Sequence, residues 1–384
     1  MPDHIIIGDI ISRVDSIHKP QRLYNTNNIL YHMRKKEAAE AAVLRSTERI
    51  KDTMKDFAGK VAFITGGASG AGFGQAQIFS EVGMKVVIAD VRDDHIENAA
   101  AHFRKTGAPV HIIKLDVTDR DGYAAAADET ERVFGTPPEL LIMTAGVNAF
   151  GPAEASTYED FDWVVGVNFG GVINGLVTFV PRMIKAGRGG HIAATVSYGA
   201  FIAAPVVAPY AASKAAVLNL LESYLMALKP YGIGVSALCP ANIKSNIYDA
   251  ALKTRPEHLK NTGYNVSEET QAILASSQQY GIEPRDLADW LKKGIENEQF
   301  LVVPYPSAER MIELELQRFI DYTTLEGTKR LEERRKQPPN EEMRRLTLEK
   351  EGFEMRSATR PEGPDPGFGK ARADRDWVSP DKRV

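Results

Sequence analysis

A single cysteine, Cys239, stands among the 384 residues of the chain. One thiol excludes a disulfide within the chain and any cysteine-based zinc cluster, and its place in an apolar, strand-like run is accounted for by burial. The cytoplasm, a reducing compartment, fits such a sequence. Excess positive charge is also missing. Lys and Arg number 47 against 51 Asp and Glu, a formal net charge of -4, and the central region has no basic stripe interleaved with aromatics. No nucleic-acid partner is therefore expected. The amino terminus lacks the charged, then apolar, then small-residue order of an export signal. Uncharged runs long enough for a bilayer are missing too, with one exception, 163–181. That run carries Asn168, Asn174 and several glycines. Such groups are penalised in lipid but satisfied in a helix packed inside a soluble domain, so no membrane is expected. No His-Glu-x-x-His or equivalent spacing occurs, so no metal is expected.

What the chain does have, from Lys60 onward, is a series of short apolar runs: KVAFIT, MKVVIAD, PVHIIKLDV, ELLIMTAG, GHIAATVS and IGVSALCP. Helix-length segments at 94–105, 119–134 and 158–185 lie between them. Nearly continuous apolar strands alternating with helices predict an α/β fold, a doubly wound parallel sheet of the Rossmann type. The expected organisation is one such domain over 57–306, with appendages. Residues 1–56 read as a partly helical N-terminal extension, ending in RKKEAAEAAVLRSTERIKD. Residues 307–330 read as one amphipathic helix. Residues 331–384 are charged, broken by prolines and poor in aliphatic side chains, the composition of a mostly disordered tail.

Two stretches point to chemistry. The first is the glycine cluster Gly66, Gly70, Gly72 and Gly74 directly after KVAFIT. Glycines there let the backbone turn tightly and approach a pyrophosphate, whose charge then meets the positive end of the next helix. The next strand ends in Asp90, twenty residues after Gly70. A carboxylate there holds both hydroxyls of an adenosine ribose and repels a 2'-phosphate, so NAD is favoured over NADP, with Arg92 as the residue that argues the other way. A P-loop is excluded, because no Gly-Lys-Ser/Thr follows. The second stretch is PYAASK, which sets Tyr210 and Lys214 on one face of a helix. A fixed ammonium favours the phenolate of a nearby tyrosine, making this a candidate acid/base pair. His111 and His191, each in or beside a strand run, are the alternative bases, and Asp93-Asp94 and Asp160 with Asp162 fit helix-start charge.

The order Thr65-Gly66-x-x-x-Gly70-x-Gly72, Asn168, Ser197, Tyr210 and Lys214, with Ser197 thirteen positions before Tyr210, resembles the short-chain dehydrogenase/reductase superfamily over 57–306. That resemblance implies that Tyr210 is the catalytic acid/base and that Lys214 lowers its pKa while binding the nicotinamide ribose. It further implies that Ser197 hydrogen-bonds the substrate oxygen and that Asn168 holds a water. By the same resemblance NAD is held by Thr65, Gly66, Ser69, Gly70 and Gly72, by Asp90, Asp116 and Val117, by Ala145 and Gly146, and by Pro240, Ile243 and Ser245 beside Tyr210 and Lys214. The family's Asn-Asn-Ala-Gly is here Met143-Thr144-Ala145-Gly146, and its Pro-Gly turn is Pro240-Ala241-Asn242-Ile243. A homodimer or homotetramer is also implied, paired through the helix after Tyr210.

At finer grain MKDFAGKVAFITGGASGAGFGQA, TAGVNAFGP, YEDFDWVVGVN, GVINGLVTFVPRMI and CPANIKSNI are similar to the bacterial Cα-dehydrogenases that oxidise the benzylic alcohol of β-aryl-ether lignin dimers. Residues 1–53 have no counterpart in that family, which marks them as an appendage or Met54 as an alternative first residue. The expected function is an NAD-dependent oxidoreductase interconverting a secondary alcohol and a ketone, with an aromatic alcohol as substrate. The alternatives are a carbonyl reductase or steroid-type dehydrogenase of the same superfamily, and a catalytically inactive dinucleotide-sensing protein. The segment 245–281, with Tyr248, Leu252 and Tyr264, is expected to cover the substrate as a lid.

Overall fold

The computed structural model describes residues 54–245, 247, 253–260, 262–265 and 281–335. The expectations for residues 1–53 and for the tail from 336 onward lie outside the described residues, as do Tyr248 and Leu252 of the expected lid. Seven strands make one parallel sheet: β1 (Val61–Thr65), β2 (Lys85–Asp90), β3 (Val110–Lys114), β4 (Leu140–Met143), β5 (Gly190–Thr195), β6 (Ile233–Leu238) and β7 (Leu301–Val302). Their order is β3-β2-β1-β4-β5-β6-β7, a doubly wound arrangement. The chain starts in the middle and winds outward both ways, so β1 and β4 are neighbours, with Phe63 opposite Leu141 and Thr65 opposite Met143. The crevice at the carboxyl ends of these two strands is the topological switch point, where such sheets bind ligands. Every residue of β1 and β4 is buried, which is why both read as unbroken apolar runs.

Helices cover both faces: α1 (Gly70–Glu81), α2 (Asp93–Thr106), α3 (Arg120–Phe134), α4 (Tyr158–Val165), α5 (Gly171–Ala186), α6 (Ala208–Leu228) and α7 (Pro284–Glu296). On one face Phe79 of α1 packs on Phe57, ring centroids 5.5 Å apart, and on the other Phe179 of α5 lies 4.5 Å from Phe63 of β1. Each such buried side chain stabilises the fold by about 1.5–3 kcal/mol relative to an exposed one. A π-helical turn, Gly166–Gly170, joins α4 to α5. Together they form one helix, Tyr158–Ala186, which among the described residues is long and apolar enough by length and composition to cross a membrane. It is a core helix: Val172, Leu176, Phe179 and Met183 are buried, and Arg182 pairs with Asp128 and Glu131 of α3.

Beyond Pro306 the chain makes two helices where one is expected from the pattern, α8 (Ala308–Tyr322) and α9 (Leu325–Arg335). Two threonines make the break. The Thr323 hydroxyl turns back to Ile320 O at 2.7 Å, and Thr324 Oγ1 accepts from Gly327 N at 3.0 Å, capping α9. Helix α8 belongs to the same core: Met311 is fully buried, and Tyr198 Oη donates to Met311 O at 3.0 Å.

One polar contact crosses the apolar interior near the site. Asp160 of α4 is fully buried and ion-paired with Arg255, itself 7% exposed. Asp160 also completes a capping box, its Oδ2 accepting from Thr157 N at 3.1 Å. Arg255 donates further to Thr262 Oγ1 at 3.0 Å and Asn265 Oδ1 at 2.8 Å. The segment carrying Arg255 to Asn265 is thereby pinned to the start of α4. Removing one partner of a buried pair strands the other charge, so Arg255→Leu is expected to destabilise by about 3–5 kcal/mol in urea unfolding. The double variant Asp160→Asn/Arg255→Leu should lose less than the two single losses added together. Additive losses would show that the two side chains do not interact.

Candidate active site

A cleft of about 1010 Å³ opens at the carboxyl ends of the central strands. At its base the turn after β1 brings three backbones into contact. Gly66 has φ 63°, and a methyl on it would lie 2.7 Å from Ala145 Cα. A methyl on Gly72 would lie 2.1 Å from Gly66 O. Only glycine fits at either place, and the amino end of α1, with Ser69 and Gly70, faces the cleft as a preformed anion site. Toward the end of β2, Asp90 accepts from Ala68 N and Arg92 N, each at 3.1 Å. Arg92 is turned onto Asp94, donating from Nε to Oδ1 at 3.0 Å, and its guanidinium holds the Asp94 carboxyl well below the usual carboxylate range. Burial lowers the neighbouring His95, with the charge of Arg92 adding to the effect.

The catalytic end is built on α6 and the loops after β4 and β5. Pro209 in the first turn of α6 suits a helix start and places Tyr210 one turn before Lys214. Lys214 Nζ donates to Thr195 O at 2.8 Å and stands 5.6 Å from the centroid of the Tyr210 ring. Burial lowers the Lys214 ammonium to about 8, with an opposing contribution from Cys239. Ser197 Oγ accepts from Gly199 N at 2.9 Å. A methyl on Gly199 would lie 3.2 Å from Ser197 Oγ and 3.6 Å from Tyr210 Cε1, so these two side chains converge on one glycine. Asn168, on the π turn, accepts from Val147 N at 2.8 Å and donates to Val147 O at 3.0 Å and to Ser213 Oγ at 3.1 Å. It therefore fixes the loop after β4 to α6, behind Gly146.

Of the residues singled out from sequence, Gly66, Ser69, Gly70, Asp90, Asp116, Val117, Ala145, Gly146, Ser197, Tyr210, Lys214, Pro240, Ile243 and Ser245 line the cleft. Thr65, Gly72 and Asn168 stand one layer behind it. Thr65 Oγ1 accepts from Thr144 N and Ala145 N, at 3.2 and 3.3 Å, Gly72 is consumed by the close approach of α1 to Gly66, and Asn168 is taken up by Val147 and Ser213. The alternative bases lie elsewhere. His191 is buried against Ser236 Oγ at 2.8 Å, and burial lowers it to about 3. His111 is paired with Glu129. The Cys239 thiol is pushed up to about 12 by burial and stays protonated at neutral pH. Tyr264 is fully buried and donates to Ala149 O at 3.3 Å and Val206 O at 3.2 Å, anchoring its segment rather than facing a ligand.

Several residues escaped the sequence reading. Thr144, at the first departure from the family pattern, donates to Gln75 Oε1 at 2.7 Å and meets Thr195 Oγ1 at 2.7 Å, while Gln75 Nε2 reaches Thr195 at 3.2 Å. This triangle ties β4, β5 and α1 together beneath the cleft, and Thr195 is the residue whose carbonyl holds Lys214. The departure itself was the signal for Thr144. Asn148, Phe150, Trp163, Ile202 and Val207 also line the cleft. The pattern of a lone strand and loop gives no sign of which side chains reach it.

A glycine turn after β1, a carboxylate after β2, and a serine, tyrosine and lysine converging at the other end of one cleft are the features of a dinucleotide-dependent alcohol dehydrogenase. The family model for short chain dehydrogenases matches residues 60–256. The chain belongs to that family, whose members are oxidoreductases of CH–OH groups that use a nicotinamide dinucleotide. A C alpha-dehydrogenase of Sphingobium sp. strain SYK-6 is 53% identical over 268 residues, spanning 70% of this chain and 88% of that protein. The apo form of LigD from the same strain is 47% identical with a TM-score of 0.58, covering 69% of this chain and 98% of LigD. A short-chain dehydrogenase/reductase from Burkholderia phymatum, solved with NAD, is 32% identical with a TM-score of 0.64, covering 70% and 96%.

The depressed Lys214 value has a measurable consequence. Between about 8 and the ordinary 10.5 the unfolded chain binds a proton at this lysine that the folded chain does not. Stability should therefore rise with pH across that window in the cofactor-free protein. Urea unfolding at a series of pH values should show that rise, and Lys214→Met should flatten it. An unchanged slope in the variant would place the titration elsewhere.

Proposed function

We propose that the chain is an NAD-dependent dehydrogenase that oxidises the benzylic secondary alcohol of a lignin-dimer-like aromatic compound to its ketone. The observation that carries this is the convergence of Ser197, Tyr210 and Lys214 in a cleft that Phe150, Trp163, Ile202 and Val207 also line. The 53% identity to a C alpha-dehydrogenase supports the benzylic substrate. In this reading Tyr210 Oη takes the proton of the carbinol hydroxyl, and the Lys214 charge stabilises the phenolate that this step requires. Ser197 Oγ hydrogen-bonds the same oxygen as it becomes a carbonyl. Asn168 acts at one remove, fixing the loop after β4 and thereby Gly146 beside Lys214. A bound nicotinamide would supply the acceptor for the hydride that leaves the carbinol carbon.

The cleft fits that cofactor. Gly66, Ser69 and Gly70 would hold the pyrophosphate, Asp90 the adenosine ribose, Asp116 and Val117 the adenine side, and Ala145, Gly146, Pro240, Ile243 and Ser245 the nicotinamide half. NAD is favoured over NADP because Asp90 is a buried carboxylate and Arg92, the cation that would attract a 2'-phosphate, is already engaged by Asp94. Exposed Val177 on α5 and Met226 on α6 suit the pairing of these helices with their copies in a homodimer or homotetramer. A cytoplasmic setting suits a chain whose one thiol is buried and protonated.

Three measurements test this. NADH formation with the stereoisomers of guaiacylglycerol-β-guaiacyl ether should exceed that with simple aliphatic secondary alcohols, and turnover of the aliphatic alcohols alone would overturn the substrate class. Tyr210→Phe should lower kcat by about 10²–10⁴ while NADH fluorescence titration shows the cofactor still bound. Asp90→Ala should shift the preference for NAD over NADP by about tenfold or more.

A further inference from the structure

Asn148 lines the cleft, is only 7% exposed, and its buried Oδ1 has no hydrogen-bond partner among the described residues. Backbone groups on either side of it are engaged: Val147 N–H donates to Asn168 and its carbonyl accepts from Asn168, and Ala149 O accepts from buried Tyr264. Position 148 is thus held between the asparagine behind the catalytic residues and the anchor of the substrate-side segment, while its carboxamide oxygen is left without a partner among the described residues. A buried carboxamide in that state is a cost to the fold, and an apolar residue of the same shape would remove it. Phe150, Trp163, Ile202 and Val207, which line the same cleft, are mainly apolar. A few polar groups set among apolar ones are the feature by which small-molecule sites fix the orientation of a ligand.

We propose that Asn148 is a specificity-determining residue whose carboxamide hydrogen-bonds a second oxygen function, a hydroxyl or an ether, carried by the aryl alcohol beside its reacting carbinol. The inference rests on the aryl-alcohol function proposed above and adds the group that is recognised. A carboxamide accepts from a hydroxyl through Oδ1 or, turned over, donates to an ether oxygen through Nδ2. An aryl alcohol lacking that oxygen leaves the carboxamide buried and unpaired. Polar sites reject such analogues more strongly than shape alone allows.

The test compares the full chain with Asn148→Leu and Asn148→Ala on three alcohols with NAD: 1-phenylpropan-1-ol, 1-phenylpropane-1,3-diol and 2-phenoxy-1-phenylethanol. The readout is kcat/KM for each oxygenated alcohol divided by that for 1-phenylpropan-1-ol. The unaltered chain should prefer at least one oxygenated alcohol by about tenfold or more, the diol if Asn148 reads a hydroxyl and the phenoxy compound if it reads an ether. Both variants should lower that ratio by about ten- to a hundredfold. Asn148→Leu should keep or raise the Tm, since it removes an unsatisfied buried acceptor, whereas a framework residue would lose stability on replacement. A ratio near one in the unaltered chain, or a preference that survives both substitutions, would overturn the inference while leaving aryl-alcohol oxidation standing. Failure of the unaltered chain to oxidise any of the three would overturn this inference, and failure on guaiacylglycerol-β-guaiacyl ether as well would overturn that function with it.

Discussion

An ammonium held out of water is the constraint around which the site is arranged. Lys214 is buried at 5% exposure and has its Nζ fixed on the Thr195 carbonyl. Burial lowers its pKa to about 8, which still leaves the ammonium that a neighbouring phenol needs in place at neutral pH. That carbonyl sits at the last residue of β5, and the same residue's hydroxyl belongs to the Thr144 and Gln75 triangle. The position of one charge is therefore referred through two side chains to β4 and α1. The glycine turn rests on the same frame, since Gly66 touches Ala145 immediately after Thr144. Dinucleotide end and reacting end are two sides of one set of strand termini.

This explains how the chain departs from its family's pattern without losing the arrangement. The asparagine usual at position 144 is replaced by a threonine, whose hydroxyl bonds both Gln75 and Thr195. Alanine stands where glycine is usual at position 241, and its N–H donates to Tyr305 Oη at 2.9 Å. In both places a hydrogen bond to a residue distant in sequence holds the departing residue.

Much of this was legible in the sequence, and for identifiable reasons. Strands buried on both faces are unbroken apolar runs, so the parallel sheet followed from KVAFIT, ELLIMTAG and their partners. The pairing of Tyr210 with Lys214 is a matter of helical period, and Ser197 stands at a fixed interval from them. Contacts that depend on distant segments were not legible. Asp160 read as helix-start charge because its capping role is local, while Arg255, which makes it an ion pair, lies 95 positions away. The break between α8 and α9 was hidden because threonines at 323 and 324 are tolerated in helices and act here through side-chain bonds to the backbone. Asn148 gave no signal, since an unpartnered carboxamide oxygen is a property of surroundings.

The π turn at Gly166–Gly170 sets the phase of the helix that follows it. Upstream of it the inward-facing residues are Asp160 and Val164, and downstream they are Leu176, Phe179 and Met183. One surplus residue in the turn resets the angular register between the two groups, so the half that grips Arg255 and the half that lies on the sheet are each free to face their own neighbour. Excising a single residue there would rotate the downstream half by about 100°. The Phe179 ring would swing away from Phe63, and the central layer of the molecule would lose its fit while every upstream contact stayed in place.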